Sequence, residues 1–193
     1  MKKIFLDCGT HFGQGLEEFI RMYSMDDSWD IYSFEPNKNT YRVACEKINY
    51  KNVKLINKAV YTYDGEILLN IETNPTEGPT GMGSSVMGLD VWNPQNFNLG
   101  EKRFEQNHKI ECIDFSKFVT DRFEKSDLII IKMDIEGSEY DVLEKMVIDN
   151  SIDYVNDIYV EFHASFFITD VSKRERELIE KINNRKINLK LWY

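Results

Sequence analysis

The chain is poor in the features that would place it outside a cell or on nucleic acid. Its 193 residues include only three cysteines, Cys8, Cys45 and Cys112, widely spaced and without a CxxC pair. That usage argues against a disulfide frame or a cysteine zinc site, and predicts buried thiols in a reducing compartment. A long apolar run near the start is also missing: MKKIFLDCG has two lysines but only a three-residue apolar stretch before Asp7, too little for a signal peptide or a membrane span. A cytoplasmic location with no membrane span is the expectation. Basic charge is scarce as well. Lys plus Arg number 24 against 33 Asp plus Glu, a net charge of −9, so nucleic acid would meet net repulsion unless a local basic face existed. The densest basic run, KRER at 173–176, encloses Glu175 and precedes Glu177, which reads as a solvated helix face. No nucleic-acid partner is expected.

What is present suits a folded protein. Hydrophobic residues at 42% and charged residues at 30% fit one globular domain over 1–193, long enough to bury a sheet and its covering helices. Apolar runs alternate with helical periods. The strands read from the sequence are IFL (4–6), DIYSFE (30–35), NVKLIN (52–57), HKIECI (108–113), DLIIIKMD (127–134), DIYVEFH (157–163) and INLKLWY (187–193). Between them lie a helix at 13–24, one after Pro36 with Tyr41, Ala44, Cys45 and Ile48 on one face, a short one entered at Asp114, and two more at 138–150 and 172–184. This order predicts an α/β, Rossmann-like, mainly parallel sheet with helices on both faces. Two stretches break the rhythm. AVYTYDGEILLNIE (59–72) alternates around Asp64-Gly65 and predicts a hairpin. The segment 73–100, rich in Gly, Pro, Asn and Ser, reads as a long inserted loop or lid over the acceptor, with Trp92 as a stacking face.

The first strand runs into Asp7-Cys-Gly9-Thr10-His11-Phe-Gly13, at the edge where open α/β sheets bind ligands. A nicotinamide fingerprint GxGxxG starting at Gly9 would need glycines where His11 and Gln14 stand, and no GxxxxGK[ST] phosphate loop occurs. Glycines here let backbone lie against a ligand. The acid at the strand end would repel a pyrophosphate and suits a cationic, hydroxylated ligand such as S-adenosylmethionine. Glu35, ending the second strand, can accept both ribose hydroxyls. An NAD-dependent oxidoreductase would also place an acid there, so that alternative is argued against by the turn alone, and a non-catalytic S-adenosylmethionine-binding module stays open.

A second constellation ends the long apolar strand, where Lys132, Asp134, Glu136 and Glu139 crowd one turn. Gly137 makes the sharp bend, Ser138 is placed to cap the helix with Asp141 as a capping box, and Glu139 complements the helix dipole. Asp134 and Glu136 face the cleft of Gly9. Two such acids raise one another's pKa or hold a cation, so either a carboxylate takes a hydroxyl's proton or a divalent metal on Asp134 and Glu136 acidifies it. The next strand brings Glu161 and His163 to the same edge, His163 as a candidate general base. His11, inside the glycine turn, is placed to touch the donor or the acceptor.

These segments resemble the FkbM family of class I S-adenosylmethionine-dependent methyltransferases. The matching pieces are FLDCGTHFGQG, SFEPNKNTY, NKAVYTYDGE, GSSV, LIIIKMDIEGSEYDVLEKM and IYVEFH, in order across residues 4–163. The resemblance implies methyl transfer to an oxygen, most often a hydroxyl of a sugar or secondary metabolite. By position it puts Asp7, Gly9 and Gly13 at the methionine end, Glu35 at the ribose, and Asn57 and Ala59 around the adenine. Thr10-His11 stands where the family commonly has Ala-Asn. One evident strand follows the last helix, so the terminal antiparallel pair of that fold is expected to be abbreviated, or completed by a partner chain in a homodimer.

Overall fold

The apolar run IFL lies in β1 (Lys3–Cys8), from which the chain passes through the glycine turn into α1 (Gln14–Met22). β2 (Trp29–Phe34), α2 (Lys38–Lys47) and β3 (Val53–Ile56) complete the first half of the main sheet. The computed structural model describes residues 1–73, 83–88, 91 and 103–192. β4 (Ala59–Tyr61), β5 (Gly65–Thr73) and β6 (Arg103–Asp114) then build a separate three-stranded sheet before α3 (Phe115–Arg122). The second half of the main sheet follows as β7 (Leu128–Met133), α4 (Glu139–Ile148), β8 (Asp157–Val160), α5 (Ser172–Asn183) and β9 (Asn188–Leu191).

The main sheet has six strands in the order β3-β2-β1-β7-β8-β9, all parallel. Its core divides by the two-residue period of a strand. Ile4, Leu6 and Cys8 of β1 and Ile129, Ile131 and Met133 of β7 face one layer, with Phe118 of α3, Leu143 of α4 and Leu178 of α5. Phe5 and Ile130 face the other, with Leu16 and Phe19 of α1 and Ala44 of α2. Strands covered on both sides read as unbroken apolar runs, which is why the central two lack polar alternation. The expected α/β, Rossmann-like fold is the observed one. β9 joins β8 in parallel, so among the described residues no antiparallel pair ends this sheet.

Three expectations change. The hairpin at 59–72 does not form, because β6 lies between its two arms: Cys112 stands opposite Ala59 on one side and Gly65 on the other. Asp64, expected in a tight turn, instead accepts a hydrogen bond from Asp114 N at 3.1 Å and pins the end of β6 there. Only Cys8 and Cys112 are buried, whereas Cys45 is exposed, because α2 turns Thr40 and Ala44 inward rather than Tyr41 and Cys45. The helix entry at Asp114 holds, its carboxylate accepting from Lys117 N at 3.2 Å. The lid read over 73–100, including Trp92, lies largely outside the described residues. Within it, the described stretch 83–88 is tied to β5 by paired backbone hydrogen bonds between Asn70 and Ser85. Among the described residues no helix is long and apolar enough to cross a membrane.

Candidate functional site

β1 is flanked by β2, which follows it through α1, and by β7, which arrives from the distant half of the chain. Strand order reverses there, and the carboxyl ends of these strands open into a crevice. A cavity of about 70 Å³ occupies it, with Gly9, His11, Glu35, Asp134, Glu136 and Ser138 among its walls. A larger cavity of about 570 Å³ adjoins it across Pro36 and Leu69, and Asn37 and Asn57 line that one. The acids belong to the smaller cavity, so the chemistry is sought there.

The glycine turn is held from beneath. Gly9 N and Thr10 N both donate to Phe34 O, at 3.1 and 3.0 Å, and Gly13 N donates back to Thr10 O at 2.9 Å. Gly9 adopts φ +85° with its Cα against the Asp134 carbonyl, and Gly13, at φ +93°, starts α1 against Ile48. Lys132, buried at the end of β7, donates to Gly9 O at 2.8 Å and to Asp134 Oδ2 at 3.1 Å, with its Nζ 3.9 Å from Asp7 Oδ1. Burial pulls the Lys132 pKa down, but the Asp134 and Asp7 carboxylates more than offset it, so the ammonium stays charged. Asp7 is wholly buried. Burial pushes its carboxyl pKa up against the pull of Lys132, and Ser33 Oγ donates to it at 3.1 Å.

Glu35 is nearly buried and accepts two backbone hydrogen bonds, from Asn37 N at 2.8 Å and His11 N at 2.9 Å. Burial outweighs those bonds and lifts its pKa to about 7. The carboxylate thereby shapes the turn that carries His11, while each oxygen keeps a further lone pair for a ligand hydroxyl.

The second cluster is built on a bend. Glu136 (φ +55°) and Gly137 (φ +102°) both take left-handed backbone, turning the chain sharply from β7 into α4. The Ser138 hydroxyl does not cap that helix and, fully buried, completes no hydrogen bond. The Glu139 carboxylate does the work instead, accepting from Ile135 N at 2.7 Å and Gly137 N at 2.9 Å. The same Glu139 meets His163 Nδ1 at 3.0 Å. His163 Nε2 then faces Glu136 at 3.5 Å, Asp134 at 3.8 Å and Glu161 at 3.9 Å. Burial alone would lower the imidazole pKa, but Glu139, Glu136 and Asp134 raise it to about 9. Burial, helped by Asp134, Glu139 and Glu161 and opposed by His163, lifts Glu136 to about 8.

The family model of the methyltransferase FkbM domain matches residues 7–185, spanning the glycine turn, Glu35 and the whole acidic bend. The chain belongs to this family. No curated protein and no solved structure gives a significant match.

In this FkbM methyltransferase the residues singled out from sequence divide by position. Gly9, His11, Glu35, Ala59, Asp134 and Glu136 share one cavity wall, and His163 stands behind Asp134 and Glu136. Asp7, Thr10, Gly13 and Asn57 are not in that wall. Asp7 and Thr10 are buried beneath the turn, and Asn57 lines the larger cavity, its Nδ2 donating to Glu35 O at 2.8 Å and Pro36 O at 3.1 Å. Three contributions escaped sequence reasoning. Lys132 ties β7 to the glycine turn, and its signal was a lone cation inside an apolar strand. Glu139 orients His163 rather than merely complementing a dipole. Ser85, of the GSSV stretch, donates through Oγ to Glu136 O at 2.5 Å, a contact between segments far apart in the chain.

Proposed function

We propose that this FkbM-family protein transfers the methyl group of S-adenosylmethionine to a hydroxyl of a small acceptor, with carbohydrates as the first class to test. The observation that carries the reading is the shared wall of Gly9, Glu35, Asp134 and Glu136 around one cavity. Close-lying backbone at Gly9 suits the methionine end, the Glu35 carboxylate suits the ribose hydroxyls, and the adenine extends past Pro36 toward Asn57 and the larger cavity. Asp7, Thr10 and Gly13 hold the turn in shape from below.

The transfer is an in-line displacement. The acceptor oxygen attacks the methyl carbon as the carbon–sulfur bond breaks, sulfur keeps the electron pair, and the hydroxyl proton leaves to a nearby base. Asp134 is the group placed to receive it, because Glu136, lifted to about 8, mostly holds its own proton at neutral pH. His163, charged at neutral pH, holds those carboxylates in position rather than accepting the proton itself. Much of the rate comes from aligning oxygen, methyl and sulfur in a site shielded from water.

Calorimetric titration with S-adenosylmethionine and S-adenosylhomocysteine tests the donor site, with NADH and Glu35→Ala as controls. Binding of both sulfur ligands, lost in a folded Glu35→Ala and absent for NADH, is expected and would be followed by a panel of hydroxylated acceptors. Failure of a folded protein to bind either sulfur ligand would end the methyltransferase reading.

A further inference from the structure

We propose that Ser138 is a donor-binding residue, its hydroxyl forming a hydrogen bond with the edge of the adenine ring. This contact rests on the S-adenosylmethionine reading above and gives a role to a residue expected from the sequence only to cap α4. Among the described residues, four buried side-chain atoms complete no hydrogen bond: Asp7 Oδ1, Thr10 Oγ1, Ser116 Oγ and Ser138 Oγ. Thr10 is turned toward the Asp7 carboxylate and Ser116 toward that of Asp149. Ser138 alone of the four lines the cavity.

The fold draws nothing from this hydroxyl. Ser138 makes no cap bond, and the Glu139 carboxylate already takes the Ile135 and Gly137 N–H groups of the entry loop. A buried hydroxyl left without a partner costs stability, and a ligand in the cavity supplies the partner that the chain does not. The neighbours of Ser138 identify the part of the donor it meets. α4 packs against β4, where the Tyr61 phenol meets Asp141, about one turn beyond Ser138. Ser138 also shares the cavity with Ala59 and Val60 at the start of β4, the segment that surrounds the adenine in this reading. Glu35 takes the ribose and Gly9 the methionine end, which leaves the adenine for Ser138. That base is uncharged, with ring nitrogens that accept and an amino group that donates. A hydroxyl rotates to serve either, whereas an ionised carboxylate only accepts.

The test is calorimetry of the parent protein and Ser138→Ala with two ligands, S-adenosylhomocysteine and 5′-methylthioadenosine, the second keeping the nucleoside without the amino-acid end. Ser138→Ala should weaken both by the same factor, roughly 2- to 10-fold, the worth of one hydrogen bond. Its Tm without ligand should equal or exceed that of the parent, since no bond within the fold is lost. A lower ligand-free Tm would show that the hydroxyl serves the fold and would overturn the proposal. Weakening of S-adenosylhomocysteine alone would move the contact to the amino-acid end and overturn it as well. Equal binding of both ligands by parent and variant sinks the role of Ser138 and leaves the methyltransferase reading standing. Failure of the folded parent to bind either ligand sinks that reading and the Ser138 contact with it.

Discussion

A methyl group on Gly9 would stand 1.8 Å from the Asp134 carbonyl oxygen, against backbone that has no rotamer to move to, at a φ of +85°. Gly15 lies in α1, where the same methyl would meet only the Lys132 side chain, at an ordinary contact distance of 3.4 Å. Gly9→Ala should therefore lose about 3 kcal/mol or more of stability. Gly15→Ala should be neutral or gain up to about 1 kcal/mol through helix propensity. Urea unfolding of the two variants checks the contrast, and equal effects would show that the close approach at Gly9 is not what constrains it. Glu35 supplies a pH signature. Its pKa is raised in the folded state from 4.5 to about 7, so the folded form binds a proton that the unfolded form has released. Its contribution to stability is full below about pH 4.5 and is lost as pH rises through about 7. Glu35→Gln, unable to accept both backbone N–H groups, should be the less stable protein at pH 5. Its deficit should shrink by up to about 3 kcal/mol by pH 8. A deficit independent of pH, in unfolding measured at both values, would contradict the buried-acid account.

At the scale of elements, the glycine turn is positioned by a strand that follows it by more than a hundred residues. β7 pairs with β1 in register, Lys132 opposite Asp7, and its ammonium reaches Gly9 O, Asp134 and Asp7 together. Lys132→Met keeps the length of the side chain and removes the cation between two acids. Breaking a buried pair by removing one partner costs about 3–5 kcal/mol because a charge is left uncompensated. The loss should be larger at pH 8 than at pH 5, since burial already raises the Asp7 pKa and removing the Lys132 charge raises it further, which favours the neutral acid as pH falls. Thermal unfolding at the two pH values measures it, and a variant as stable as the parent at pH 8 would mean that Lys132 is not what neutralises Asp7. The acidic bend shows the same dependence between elements. Glu139 at the start of α4 fixes its own entry loop and, through His163, the end of β8.

Over the whole molecule, the site is a junction of both halves of the main sheet and the second sheet, with Ala59, Val60 and Leu69 lining the same cavity as Asp134. A ligand that binds this junction only when it is assembled stabilises the entire fold. At a donor concentration of about 100 times Kd the gain is about 2.7 kcal/mol. For a chain of this size that corresponds to a Tm rise of roughly 5–10 °C. S-adenosylhomocysteine should produce such a shift and NADH none. A shift from NADH alone would favour an oxidoreductase site.

Local chemistry determined a great deal. Apolar runs and helical periods are set by near neighbours, so the parallel α/β fold, the glycine turn after β1, the acid ending β2 and the bend at Glu136-Gly137 were legible along the chain. The hairpin at 59–72 was not, because which strand fills the gap between β4 and β5 is a choice among distant segments, and β6 makes it through Asp114 N and Asp64. Roles within the site were also beyond local reading. Asp7 reads as a ligand-facing acid in sequence but is sealed under the turn, and Lys132 reads as an interruption of an apolar strand but neutralises that acid. His163 reads as a base, and the acids of the bend between β7 and α4, from another segment, raise its pKa to about 9 against the effect of burial. Protonation and ligand geometry depend on burial and on charges brought together across long sequence separations, and only the tertiary structure supplies those.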